Sequence, residues 1–143
     1  MNITRFKAEH LASLELQDAQ QYFGSEISTP GYAASLEASG GGFTGMVDGR
    51  VVACAGCSEV WQGRAVAWAL LSKDASKHMM VLHRAVHGYL KAAQFRRIEA
   101  WVDEGFKPGE RWLQMMGFRL ETPEPMQGFR PDGGACFLYS RVK

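Results

Sequence analysis

The spacing of apolar positions changes several times along the chain, and each change predicts a different element. Residues 43–47, Arg50–Trp61 and Arg64–Leu71 are runs rich in β-branched, aromatic and small apolar residues, joined by Asp48-Gly49 and Gln62-Gly63. Both residues of an Asp-Gly pair tolerate positive φ, so the first junction predicts a type I′ turn and the runs predict three consecutive antiparallel strands. Residues 72–78 break the pattern. Met79, Leu82, Val86, Tyr89 and Ala93 then recur at spacings of three and four, which predicts the buried stripe of an amphipathic helix over 76–93. Arg84, Gly88 and Lys91 fall roughly opposite, on the face expected to meet solvent.

Residues 97–102 return to a strand pattern, so strand, helix and strand predict a β-α-β crossover with its two strands parallel. A short helix over 109–116 follows, and Gly117 stands where a left-handed cap favours glycine. Beyond it the pattern predicts a short strand at 118–121, a loop over 123–134 holding Pro123, Pro125 and Pro131, and a last strand at 135–142. The N-terminal part is less regular. A strand is expected at 3–6 and a loosely helical segment over 9–23, carrying Leu11, Leu14, Leu16 and Tyr22. Ser28-Thr29-Pro30-Gly31 and Ser39-Gly40-Gly41-Gly42 leave room for a short helix at 32–37 in a loop-rich region expected to face a ligand. No repeat or linker divides residues 1–143, so a single mixed α/β domain is expected.

Composition narrows the function more than the fold. An apolar fraction of 46% with 22% charged residues is that of an ordinary globule. Sixteen basic residues against fifteen acidic ones leave a net charge of +1, so no broad field recruits nucleic acid or an anionic membrane, and any anion site must be local. The first residues carry no signal-peptide core and no apolar stretch approaches a membrane span, so a cytoplasmic location is expected. Three cysteines, an odd number, suit a reducing compartment. Cys54-Ala55-Gly56-Cys57 has the spacing of a redox or zinc pair, but it sits within a predicted strand, where positions three apart face opposite sides. His83 and His87, four apart on the predicted helix, have the spacing of two metal ligands but lack the glutamate that a metalloprotease helix places after the first histidine, and no metal is expected there.

The element order, a hairpin run leading into a β-α-β crossover, is that of the GNAT N-acetyltransferases. Trp112-Leu113-Gln114-Met115-Met116-Gly117-Phe118 resembles the segment Leu-Tyr-x-x-x-Gly-Phe that closes the helix after the fifth strand of that family. The resemblance covers about residues 43–143. It implies a GNAT-like acyl-CoA N-acyltransferase fold, acetyl-CoA as cofactor, and an amine, small molecule or protein, as acceptor. The near-neutral charge leaves no nucleic-acid or membrane partner expected, and a homodimer is the candidate assembly. In the family, Arg/Gln-x-x-Gly-x-Gly/Ala before the long helix cradles the coenzyme A pyrophosphate on backbone amides. Here the corresponding residues are Ser72-Lys73-Asp74-Ala75-Ser76-Lys77-His78, without the glycines. The implied cofactor site is therefore Leu70, Leu71, Ser72, Lys73, Ser76, Lys77 and His78. An N–H near Leu70–Leu71 would meet the developing oxyanion, the helix start and its lysines would supply positive charge, and Asp74 would serve as the helix N-cap.

The family's usual tyrosine acid corresponds to Leu113, so Tyr139 or Cys136 on the last strand are the substitute proton donors, and Glu59 or Glu99 the candidate bases acting through water. The acyl group is expected in the cleft where strands 64–71 and 97–102 splay. Trp61, Trp68, Trp101 and Trp112 are read as core, with Trp68 able to line that cleft. A narrower resemblance, over residues 76–143, is to the degenerate GNAT-like proteins of short-tailed bacteriophages. It implies a competing role, a non-catalytic internal virion, assembly or host-interaction protein, found in the host cytoplasm or the virion.

Overall fold

A computed structural model of the chain describes all of residues 1–143. It contains β1 (Asn2–Arg5), α1 (Glu9–Ala12), α2 (Gly24–Ile27), α3 (Pro30–Ala38), β2 (Gly42–Val47), β3 (Arg50–Trp61), β4 (Arg64–Leu71), α4 (Met79–Ala92), β5 (Arg97–Asp103), α5 (Lys107–Met115), β6 (Arg119–Leu120) and β7 (Cys136–Val142). The seven strands form one mixed sheet in the order β1-β2-β3-β4-β5-β7-β6. β4 and β5 are parallel, as the crossover requires, through the three pairs Arg64↔Arg97, Ala65↔Ile98 and Val66↔Glu99. No helix is long and apolar enough to cross a membrane.

The chain packs as two compact units, Met1–Ser58 with Trp68–Ala93, and Glu59–Ala67 with Gln94–Lys143. In the first, Asp48 and Gly49 both take positive φ, 50° and 76°, closing the β2–β3 hairpin with Val47 opposite Arg50 as the Asp-Gly pair predicts. One side of this unit's sheet buries Phe6, Leu11, Leu14, Leu16, Ile27, Leu36, Cys54 and Leu70 in a single cluster, against which Trp68 packs. Fully burying each large aliphatic chain contributes about 1.5–3 kcal/mol. The Cys-x-x-Cys stretch divides as strand geometry demands: Cys54 lies in that cluster near Thr44 Oγ1 at 3.7 Å, while Cys57 bonds Tyr89 of α4. Burial pushes both thiols up to about 11.

The segment over 9–23 is not one helix. After the single turn of α1, Leu14-Glu15-Leu16 alternates with a period of two, and Leu16 forms an antiparallel bridge to Ser72; a 3₁₀ segment, Asp18–Phe23, follows. Alternation at three positions is too short to be told from helical spacing. α4 is preceded by a 3₁₀ turn, Ala75–His78, and begins at Met79 rather than at 76. Its most buried residues are Leu82 and Leu90, at 0% and 3% exposure, while Met79, Val86, Tyr89 and Ala93 are half-buried. The stripe thus drifts towards spacings of four, as a 3.6-residue period allows.

In the second unit, α5 covers one face of the sheet, with Gly109 backed against Val102 and Phe106 so closely that a Cβ would lie 2.6 Å from Val102 Cγ2. The helix ends in a Schellman motif. Phe118 N–H bonds Leu113 O at 3.0 Å and Gly117 N–H bonds Gln114 O at 3.0 Å, with Gly117 at φ 89° and Phe118 buried. This is the physical content of the Gly-Phe pair: glycine supplies the left-handed turn, and phenylalanine buries its side chain just past it. β7 pairs with β5 along seven residues and lies between β5 and β6. Trp61 and Trp101 are surface residues rather than core, at 59% and 44% exposure. Trp61 lies under the Arg64 guanidinium, 4.6 Å from its ring centroid, and Trp101 packs edge-on against Phe129.

Candidate functional site

The end of β4 and the turn before α4 bring together Leu70, Leu71, Ser72, Lys73, Ser76, Lys77 and His78 as one stretch of chain. Leu70, Leu71 and Ser72 are buried, whereas Lys73, Ser76 and Lys77 are exposed. Ser72 N–H donates to Val52 O of β3 at 2.8 Å, so the Leu71 amide, one residue back, points to the other side of β4. There it meets a partner from an unexpected place: Leu71 N–H donates to Gln20 Oε1 at 3.0 Å, and Gln20 Nε2 donates to Ala69 O at 2.8 Å. Gln17 N–H bonds Leu71 O at 2.9 Å and Gln17 Nε2 bonds Gln20 Oε1 at 3.2 Å. Sequence reasoning missed both glutamines. Polar residues in a loosely amphipathic segment read as solvent-facing, and nothing in their spacing indicates a distant strand edge.

The backbone of the turn is engaged as well. Lys73 N–H bonds Glu15 O at 3.1 Å, Asp74 N–H bonds Ser72 Oγ at 3.2 Å, and the amides of Ala75 and Lys77 bond Ser72 O and Asp74 O at 3.1 Å each. Asp74 stands at the N-cap of the 3₁₀ turn but makes no side-chain cap, and neither does His78 before α4; Ser72 Oγ only closes the turn onto the Asp74 amide. The Asp74 carboxylate instead pairs with Arg50 at 3.3 Å and Lys77 at 3.5 Å. A pyrophosphate cradle needs amides with free hydrogens beside the helix start. With four of its amides engaged and a carboxylate set among its cations, this turn fits a coenzyme A pyrophosphate poorly. What it can offer an anion is the side-chain charge of Lys73, Lys77 and His78.

The candidate acid and base residues all lie in the second unit, and the structure does not assemble them. Glu99 is buried on β5, where Arg64 grips it with two bonds of 2.8 and 2.9 Å and Arg97 Nε adds a third at 2.6 Å; Arg97 reaches on to Glu121. The Arg64 bonds, aided by those of Arg97, hold the Glu99 carboxyl down at about 2. A carboxylate so stabilised is a weak base. Tyr139 stands opposite Ala100 in the β5–β7 ladder, while Glu99 stands opposite Ser140. Adjacent positions face opposite sides, so Tyr139 and Glu99 address different faces of the sheet. The Tyr139 hydroxyl donates to Glu110 Oε1 of α5 at 3.4 Å, and burial, then the Glu110 charge, push its phenol up. Cys136 is fully buried with Sγ 3.4 Å from Asp103 Oδ1; burial raises its thiol to about 12. Glu59 is exposed near the outer end of β3, and Leu113 is half-buried on α5. The His83 and His87 rings stack in parallel, with centroids 6.2 Å apart, and no group of three or more His, Cys, Asp or Glu side chains is poised to hold a metal.

Neither a protein-family model nor a curated protein matches the sequence. Solved structures do match the fold. Ard1 from Thermoplasma volcanium superimposes with a TM-score of 0.77 at 14% identity, covering 99% of this chain and 96% of its own. A GNAT-family acetyltransferase from Bacillus anthracis gives 0.70 at 14%, over 98% and 93%. The ribosomal-protein-S18-alanine N-acetyltransferase from Escherichia coli gives 0.66 at 13%, over 99% and 92%. Almost the whole chain, including the N-terminal forty residues that carried no motif, thus has the mixed α/β fold of the GNAT acetyltransferases.

Proposed function

We propose that this chain is an N-acetyltransferase-like protein that accepts acetyl-CoA with low affinity and transfers its acetyl group slowly to an amine. The observation that supports this most directly is the Leu71 N–H. It points out of the β3–β4 ladder and already holds an amide carbonyl oxygen, the kind of group whose charge an acyl transfer must stabilise. The fold supplies the rest of the support. Acetyl-CoA, when bound, supplies the activated acyl group; Lys73, Lys77 and His78 supply charge for its phosphates; Leu71 N–H orients the carbonyl. Slow turnover follows from the acid and base residues, since Glu99 is locked by arginines and the Tyr139 and Cys136 protons are held tightly.

Calorimetric titration with acetyl-CoA tests this reading. We expect millimolar binding that weakens as salt is raised, because exposed charge rather than backbone amides holds the phosphates. Lys73→Glu or Lys77→Glu should weaken it several-fold, and Asp74→Asn should strengthen it by removing the competing carboxylate. Affinity that ignores salt and all three substitutions would place the nucleotide elsewhere.

A rate measurement tests the missing acid. Leu113→Tyr should raise thiol release from acetyl-CoA, assayed with a panel of amines, by at least about tenfold, since a positioned general acid is typically worth roughly 10²–10⁴-fold. An unchanged rate at unchanged affinity would show that proton donation from this position on α5 does not limit turnover. The engaged amides of the turn favour a second reading: a non-catalytic assembly or interaction protein, such as the phage resemblance implies. Complete absence of acetyl-CoA binding at millimolar concentration would remove the transferase reading and make this one the better.

A further inference from the structure

Residues 15–20 approach β4 as an incomplete extra strand. Glu15 O accepts from Lys73 N–H, Leu16 bridges Ser72, and Gln17 N–H donates to Leu71 O, all in antiparallel sense. At Asp18 the backbone turns away into the 3₁₀ segment, and the ladder should end with Leu71 N–H and Ala69 O unpaired. It does not end there. The Gln20 side chain returns to the edge, its Oε1 on Leu71 N–H and its Nε2 on Ala69 O. A primary amide carries the same acceptor and donor as a peptide group, so Gln20 continues the ladder by one peptide unit without a backbone. Gln17 Nε2 steadies the same Oε1 at 3.2 Å.

We propose that Gln20 is a removable plug: its side-chain amide occupies the β4 edge position that an extended ligand bearing a secondary amide would otherwise fill, and so suppresses binding of such a ligand. An unpaired strand edge is a ready template for any extended amide, and Gln20 covers one donor and one acceptor of this edge, Leu71 N–H and Ala69 O. Gln20 is only half-buried and its contacts to β4 are made by the tip of a flexible side chain, so a rotamer change uncovers the edge without unfolding α1 or α2. With acetyl-CoA the competing groups are the acyl carbonyl, on Leu71 N–H, and a pantetheine amide N–H, on Ala69 O. The inference therefore rests on the acetyl-CoA reading above, and deepens it by giving low affinity a second cause besides the poor phosphate site.

The test is titration of acetyl-CoA into the wild type, Gln20→Ala and, as control, Gln21→Ala, whose lost bond to Leu16 O at 2.6 Å loosens the same segment without uncovering Leu71 N–H or Ala69 O. Gln20→Ala should bind about tenfold more tightly, the gain expected when one or two neutral hydrogen bonds need no longer be given up, and Gln21→Ala should not. The Leu71 amide should exchange hydrogen faster in free Gln20→Ala and regain protection with acetyl-CoA. Equal, measurable affinities in wild type and Gln20→Ala overturn the plug and leave the acetyltransferase reading standing. Binding by neither form overturns that reading and this inference with it. If Gln20→Ala does not fold, the wild type decides: acetyl-CoA should release the Gln20 side-chain amide to rapid exchange, and unchanged protection overturns the plug.

Discussion

Leu82→Asp should leave no cooperative thermal transition. Leu82 is fully buried on the sheet-facing side of α4, and an aspartate there must either bury an unpaired charge or stay protonated in an apolar site. Either costs several kcal/mol against a total stability of about 5–15 kcal/mol. Val86→Asp, at a half-buried position one turn on, should destabilise less, because its carboxylate can reach water. Calorimetry of the two variants checks the orientation of the helix as well as its existence. A cooperative melt for Leu82→Asp, or a larger loss for Val86→Asp, would rotate α4 away from the placement described.

Glu99→Gln is expected to have the second largest effect. It leaves Arg64 and Arg97, both largely covered, facing each other without the carboxylate that joins them. Removing one partner of a buried pair costs about 3–5 kcal/mol, and the partial exposure of both arginines puts this case near the lower end. The sign follows from the depressed Glu99 value. The Glu99 contribution is fully present above about pH 4.5 and is lost as pH falls towards 2. Wild type and Glu99→Gln should therefore differ by roughly 10 °C in melting temperature at neutral pH and converge in acid. A difference that persists unchanged at pH 2, or none at pH 7, would remove the ion-pair account.

The candidate site was legible only in part. The placement of Leu70 to His78 at the end of β4 and the start of α4 followed from the break in hydrophobic period, and the loss of the glycines was visible directly. That the remaining amides would be engaged by Ser72 Oγ and Glu15 O was not, because a turn's hydrogen-bond partners depend on which distant segment packs against it. The two candidate bases show the same limit. Glu59 and Glu99 both read as charged residues on strands, and only the pairing of Arg64 beside Arg97 in the parallel ladder turned Glu99 into a locked anion while Glu59 stayed exposed.

What the amino-acid sequence by itself determined was local and periodic. The Asp48-Gly49 hairpin, the strands on either side of it, the β-α-β order and the cap at Gly117-Phe118 follow from which residues must be buried and which backbone angles they accept. Tertiary structure alone decided that β7 would lie between β5 and β6, that Leu16 would bridge a strand rather than continue a helix, and that Gln20 would complete the edge of β4. Periodicity reports the presence of a buried face but not the partner that covers it. The partner is chosen when segments about fifty residues apart, such as Gln20 and Leu71, close a loop whose entropy cost grows slowly with length and carries no signature in the local sequence.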